Sequence, residues 1–267
     1  MYQLIQLFDF DFISATDHYQ FLDEMINYHA YLQTQQHKLP FVITLNADQL
    51  VRLAEPKNST LKQTLTQSLF ILPDGQSIIL FSRLVGKPLK QRLCGSDLLP
   101  LFWNSAKQEQ KKVLLIVASD QIGALLQADY ANSVYYAPPF FNLDTQAAVL
   151  DKIIQDCVDM IKTVQPEYVL LGLGFPKQET IGIGIYNQLV QQDFDNLPLF
   201  LFLGASFEFY LKVKKRAPLW MQSWGLEWLH RLLQEPKRMW KRYLIGAFRL
   251  AWLWIKCFPK ERRNNLF

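Results

Sequence analysis

Apolar residues fall along the chain in short runs of near-continuous Leu, Val, Ile and Phe, separated by longer stretches where they recur every three or four positions. FVITLN (41–46), SLFILP (68–73), KVLLIVAS (112–119), SVYYAPP (133–139), EYVLLGLGF (167–175) and LFLFLGAS (199–206) read as strands. Their lack of alternation is what strands covered on both faces show. Between them, DTQAAVLDKIIQDCVDMIKTVQP (144–166) carries Ala148, Ile153, Cys157, Met160 and Ile161 at helical spacing. Asp144 is its expected N-cap and Pro166 its stop. This alternation predicts an α/β fold, a Rossmann-like, mainly parallel sheet with helices on both faces. Ligands of such a sheet sit beyond the carboxyl ends of its strands.

Polar clusters follow four of these strand ends, at residues 44–46, 73–75, 174–178 and 204–206. Pro, Gly, Asn and Asp are ordinary turn residues, so each cluster alone reads as turn chemistry. Their shared placement points to one common site. Beyond residue 211 the chain changes character. Residues 212–267 hold fourteen Lys or Arg against three Asp or Glu, a balance of +11, so the overall +4 leaves −7 for residues 1–211. Six of the seven tryptophans lie in the same segment. The expected organisation is an α/β core over 1–211 and a basic, aromatic, helical appendage over 212–267, with Pro236 dividing one helix from the next. A charge asymmetry of this sign implies a polyanionic partner, either a membrane surface or nucleic acid.

A helical wheel of 238–258 places Arg238, Lys241, Arg242, Arg249 and Lys256 on one side. Trp240, Tyr243, Ala247, Ala251, Trp254 and Phe258 fall on the other, with Ile245 and Trp252 as exceptions on the basic side. That is the pattern of an interfacial helix, aromatic side in the acyl boundary and cations toward anionic headgroups. The alternative is a helix docked on its own domain by the aromatic face. Residues 237–258 are the expected contact with a membrane surface. No run reaches the ~20 apolar residues that span a bilayer. The N-terminal MYQLIQLFDFDF carries Asp9 and Asp11 and lacks the basic region of a secretory signal. Cys94, Cys157 and Cys257 are odd in number and too widely spaced for a disulfide framework or a CxxC metal motif. The expected location is cytoplasmic with peripheral membrane attachment.

TLNADQL (44–50), LPDG (72–75), KQRLCGSDLLP (90–100), GLGFPKQE (172–179), LGASFEF (203–209) and the long block KRAPLWMQSWGLEWLHRLLQEPKRMWKRYL (215–244) occur in this order. With them, the chain from about residue 41 to 245 resembles the WecG/TagA/CpsF family of bacterial glycosyltransferases, glycosyltransferase family 26. The resemblance implies an inverting enzyme at the inner face of the bacterial cell membrane. It would move a hexose, such as an N-acetylhexosamine, glucose or uronic acid, from a UDP-sugar donor to a polyprenyl-diphosphate-linked sugar acceptor. The product would enter surface polysaccharide or wall polymer biosynthesis.

The resemblance also implies roles. Asp74, in LPDG, matches the family's proposed catalytic Asp and is the expected general base for the acceptor hydroxyl. Thr44 and Asn46 match polar residues near the substrates. Arg92 matches an active-site arginine and offers a planar, permanent cation for a phosphate. Gln178 matches a pocket glutamine, and the glycine turn before it presents backbone N–H groups to a diphosphate. Arg216, Arg231 and Arg238 occupy positions from which the appendage is thought to bring arginines to the nucleotide diphosphate. Lys177 and Glu179 belong to the motif without an assigned role.

A leaving diphosphate needs positive charge from a metal or from Arg and Lys. The only D-x-D strings, at 9–11 and 193–195, lie in segments the family does not treat as catalytic, so neither a metal site nor a cofactor is expected. The chain departs from the family pattern at Ser77, where a glycine is usual, and at Glu208, Leu211 and Lys212. These departures bear on donor and acceptor choice, and the sequence leaves the sugars and the oligomeric state open. The rival reading is a nucleic-acid-binding protein using the basic, aromatic C-terminus. It is disfavoured because most aromatics oppose the cations across the helix, whereas stacking residues interleave with them.

Overall fold

The computed structural model describes residues 2–35, 37–218, 220–221, 226–234 and 236–263; the side chains of residues 231, 237–239, 241–245 and 263 lie outside that description. The chain opens with an antiparallel hairpin of β1 (Gln3–Leu7) and β2 (Phe10–Ser14), followed by helices α1 (Tyr19–Ile26) and α2 (Tyr28–Thr34). The core then alternates β3 (Leu39–Leu45), α3 (Ala47–Leu53), α4 (Ser59–Thr66), β4 (Ser68–Pro73), α5 (Gln76–Leu84), α6 (Gly95–Gln108), β5 (Val113–Ile116), α7 (Asp120–Asp129), β6 (Ser133–Tyr136), α8 (Ala147–Val164), β7 (Tyr168–Leu171), α9 (Lys177–Gln191), β8 (Leu199–Phe202) and α10 (Ser206–Tyr210). Strands β3 to β8 form one six-stranded, wholly parallel sheet in the order β4-β3-β8-β7-β5-β6. All six apolar runs are strands, and the fold class is the expected α/β.

Every residue of β5, β7 and β8 is buried, which explains why these runs do not alternate. Each pleat face meets a helical layer. Leu50, Ile78, Ile153 and Ile185, from α3, α5, α8 and α9, cover one face. Phe21, Leu98, Leu126 and Phe207, from α1, α6, α7 and α10, cover the other. In α8 the expected N-cap is corrected. Asp144 donates its N–H to Asn142 Oδ1 at 2.8 Å, and the helix starts after Gln146. Asn142 makes a local turn there that takes Asp144 out of capping position. The helix ends as expected, with Gln165 left-handed just before Pro166.

The appendage contains α11 (Glu227–Gln234) and the 28-residue α12 (Pro236–Arg263), with Pro236 opening the second helix. Among the described residues, no helix is long and apolar enough to cross a membrane. Toward its end α12 lies on the core. Leu253 is buried, and Leu250, Trp254, Cys257 and Phe258 pack against the layer around Phe81, whose ring centroid is 5.2 Å from that of Trp254.

The wheel is corrected here, since Trp254 and Phe258 face the domain. Among the described side chains of α12, Phe248, Trp252 and Ile255 are the most exposed large apolar ones, at 72%, 69% and 67%, and Trp240 is exposed as well. The phase of the helix is set at its end by Glu261, which is buried. Its Oε1 accepts the Phe8 N–H at 2.8 Å, and its Oε2 pairs with Lys87 at 2.8 Å. Phe8 and Asp9 form the hairpin turn at φ 56° and 72°, the left-handed geometry of a two-residue hairpin loop. Lys62 and Lys260 hold Asp9, so the same turn is tied to α4 and α12.

Candidate active site

The expected polar clusters meet at the carboxyl edge of β3, β4, β7 and β8. Thr44 is buried near the end of β3, and its Oγ1 donates to the Phe202 carbonyl of β8 at 3.4 Å. Asn46 caps α3 in a reciprocal pair. Its Oδ1 accepts the Gln49 N–H at 3.2 Å, and Gln49 Oε1 accepts the Asn46 N–H at 2.8 Å. The cap occupies the Asn46 oxygen, so a substrate would meet the amide nitrogen.

Asp74 follows β4 and is half-buried. Its N–H donates to the Leu45 carbonyl at 2.8 Å, fixing it beside the end of β3. The Leu93 N–H donates to the Pro73 carbonyl at 2.9 Å, which lays the loop carrying Arg92 and Cys94 alongside Asp74. The N-terminus of α6 follows directly. A Cβ on Gly95 would stand 3.1 Å from Ser206 Oγ and 3.3 Å from the Thr44 methyl. The ends of β3 and β8 therefore close onto this helix start.

A charged cluster then joins the core to the appendage. Arg92 Nη1 and Arg216 Nε each engage one oxygen of Glu227 in α11. Arg216 Nη1 pairs with Asp97 in the first turn of α6, and its Nη2 lies 3.3 Å from Cys94 Sγ. The Cys94 thiol donates to Asp97 Oδ2 at 2.8 Å. Burial, reinforced by the Asp74 charge, pushes that thiol up to about 12, so it stays protonated. Burial works against ionisation of Asp97, but hydrogen bonds from Arg216 and Cys94 outweigh it and hold the carboxyl below its ordinary range.

Gln178 sits one strand further along, buried in the first turn of α9. Its Oε1 accepts two backbone N–H groups, from Gly174 at 3.3 Å and from Gly204 at 3.0 Å. Its Nε2 donates to Glu179 at 2.9 Å. Gly174 and Gly204 adopt φ 77° and 56°, with open space where a Cβ would stand. Glycine takes that backbone without strain. Lys177 turns away, donating to the Phe141 carbonyl at 2.5 Å and lying over the Phe140 and Phe141 rings.

Thr44, Asn46, Asp74, Arg92 and Arg216 are thus brought to one rim, with Gln178 beneath its neighbouring turns. The side chains of Arg231 and Arg238 lie outside the described residues. Sequence reasoning gave no role to Cys94, Asp97, Glu179 or Glu227. All four stand inside motif blocks quoted for other residues, and that position was the one available signal.

A parallel α/β sheet with a carboxylate, paired arginines and glycine turns beyond its strand ends is the layout of a protein that binds its ligand across that edge. The chain belongs to the Glycosyl transferase WecG/TagA/CpsF family, whose description matches residues 7–264. Three relatives carry the name N-acetylglucosaminyldiphosphoundecaprenol N-acetyl-beta-D-mannosaminyltransferase. The protein from Bacillus spizizenii (strain W23) is 30% identical over 224 residues, 83% of this chain and 82% of its own length. That of Bacillus subtilis (strain 168) is 30% identical over 232 residues, 84% and 80%. That of Staphylococcus aureus (strain MRSA252) is 27% identical over 208 residues, 78% and 77%.

Proposed function

We propose that the protein is an inverting glycosyltransferase that moves a hexose from a UDP-sugar onto a sugar carried by a polyprenyl diphosphate, in surface polysaccharide or wall polymer synthesis. The observation that carries this reading is Asp74 fixed at a strand end beside the loop that bears Arg92. The relatives' names make N-acetylglucosamine on the lipid diphosphate the first acceptor to try and N-acetylmannosamine the first hexose. The β configuration in those names is what inversion at an α-linked nucleotide sugar leaves.

In this reading the Asp74 carboxylate takes the proton of the acceptor hydroxyl as its oxygen bonds to the anomeric carbon. The bond from that carbon to the diphosphate breaks, and UDP leaves with the electron pair. Charge grows on the diphosphate and is met by Arg92 and Arg216, preorganised cations that need no rearrangement of water. Both guanidiniums hold the Glu227 carboxylate in the free protein, so a diphosphate entering here displaces Glu227. Thr44 and Asn46 line the sugar side, and the appendage would supply Arg231 and Arg238 as further cations for the diphosphate. The transfer is metal-independent in this account, with arginine in place of a divalent ion.

Attachment to the inner face of the membrane uses the outward stripe of Phe248, Trp252 and Ile255. These residues stand at i, i+4 and i+7 and are flanked by Arg249 and Lys256, an interfacial pattern. The nucleic-acid reading loses support, because Trp254 and Phe258 pack against the core and are not free to stack on bases. The experiment is acceptor-dependent UDP release from UDP-N-acetylmannosamine and other UDP-hexoses, with and without excess EDTA. Release that survives EDTA is expected; loss rescued by magnesium or manganese overturns the metal-independent step.

A further inference from the structure

The transfer step as derived leaves Glu179 without work, yet its setting is unusual. It is buried at 2% exposure in the first turn of α9. Its Oε1 accepts the Gln178 Nε2–H at 2.9 Å, and its Oε2 has no hydrogen-bond partner. A buried carboxyl in that state is costly. The charged group facing it is Arg52 of α3. That guanidinium is itself engaged, donating to the Phe175 carbonyl at 3.2 Å and lying 4.7 Å from the centroid of the Phe175 ring.

What Glu179 does is fix the sense of the Gln178 amide. An amide has an accepting end and a donating end. With Nε2 turned to the Glu179 carboxyl, Oε1 faces the N–H groups of Gly174 and Gly204. Reversed, the NH2 would meet two donors and all three bonds would be lost. The two glycines follow adjacent strands, β7 and β8, so one oxygen draws together two turns that share no backbone ladder. From Gly204 the connection runs through Ser206 to Gly95 and Thr44, and from β3 to Asp74 through the Leu45 carbonyl.

We propose that Glu179 is a positioning residue for the transfer reaction, holding the Gly174 and Gly204 turns in register at the rim of the site through the Gln178 amide. Burial pushes its carboxyl up to about 7. Ionisation near that pH strengthens the bond that Oε1 accepts from Gln178 and leaves Oε2 desolvated without a partner, so the staple changes across it. The kinetic part of the proposal rests on the glycosyltransferase reading, and the staple itself does not.

Glu179→Ala and Glu179→Gln separate the two. Amide hydrogen exchange at Gly174 and Gly204 reads the staple, and UDP release between pH 5.5 and 8.5 reads its use. Glu179→Ala is expected to speed exchange at both amides and to lower kcat/KM, each about tenfold, the scale of one buried hydrogen bond. Glu179→Gln keeps an accepting oxygen for the Gln178 Nε2–H, so both amides stay protected and the rate stays near wild type at pH 6, without the wild-type change in rate across about pH 7. Wild-type protection in Glu179→Ala overturns the staple, and loosened amides with an unchanged kcat/KM overturn its role in the reaction. If Glu179→Ala does not fold, a Glu179→Gln pH profile identical to that of wild type overturns the proposal. A wild type that releases no UDP sinks the glycosyltransferase reading and the kinetic role with it, while exchange still decides the staple.

Discussion

Replacing Glu261 by alanine tests whether the C-terminal part of α12 belongs to the folded core. Glu261 is 3% exposed and serves both the Phe8 N–H and the Lys87 ammonium. Truncation leaves a partly buried cation without its carboxylate, a loss of at most the about 3–5 kcal/mol seen when one partner of a buried pair is removed. It also strips the acceptor from a backbone N–H in a left-handed turn, about 1–3 kcal/mol more if nothing replaces it. Two features moderate the total. Lys87 Nζ also reaches the Gln6 carbonyl at 3.3 Å, and water enters once the helix end lifts. The expected loss is therefore about 3 kcal/mol.

Where that loss appears depends on the hold of Leu253, Trp254 and Phe258. If those contacts outlast the mutation, global stability in urea falls by that amount. If they do not, α12 peels away locally and the core unfolds near its wild-type midpoint. Urea unfolding followed by circular dichroism, alongside limited proteolysis within 246–263, covers both cases. Glu261→Gln keeps the acceptor for Phe8 and loses only the charge, so it should fall between. A Glu261→Ala variant within 0.5 kcal/mol of wild type and equally resistant to protease would refute the latch, since ordinary surface substitutions stay within about that range.

Other predictions follow from the same geometry. Glu227→Gln should strengthen UDP binding severalfold in a titration without lipid, because a neutral amide competes less well for Arg92 and Arg216; unchanged or weaker binding counts against displacement of Glu227. The contribution of Glu179 to folding stability should fall as pH rises from about 4.5 through 7, since it releases its proton more readily unfolded than folded. At about 1.4 kcal/mol per tenfold change, a rise from 4.5 to about 7 gives ~3 kcal/mol in full, most of which Glu179→Gln should remove from the difference between urea curves at pH 5 and 8. Phe248→Glu with Trp252→Glu should cut sedimentation with anionic vesicles at least tenfold while leaving the core fold intact. Equal sedimentation of the variant would move the membrane contact elsewhere.

The sheet was legible because doubly covered strands leave uninterrupted apolar runs, and every such run of β3 to β8 could be read directly. The N-terminal hairpin was not, because Phe8 and Asp9 form its turn where glycine or asparagine is the usual signal. Its conformation is imposed by Glu261 and two lysines distant in sequence. The phase of α12 was misread for a related reason. Periodicity shows that a helix has an apolar side but not which neighbour claims it, and here the Phe81 layer takes Trp254 and Phe258 and leaves Trp252 outside. At the site, resemblance singled out Asp74 and Arg92, and the fold sets them side by side. The pairs Arg92–Glu227 and Arg216–Asp97 join segments more than a hundred residues apart, which no local pattern encodes. Gln178 shows the same limit, since the two N–H groups that its oxygen accepts lie in turns after separate strands.

The measurement that bears most directly on the account is UDP release with polyprenyl-diphosphate-linked N-acetylglucosamine in detergent or liposomes, wild type beside Asp74→Asn. Loss of a general base costs about 10²–10⁴-fold, so the account predicts acceptor-dependent release by wild type and a drop of that size in the variant, with UDP binding preserved. Wild-type rates in Asp74→Asn would contradict the assignment of the base.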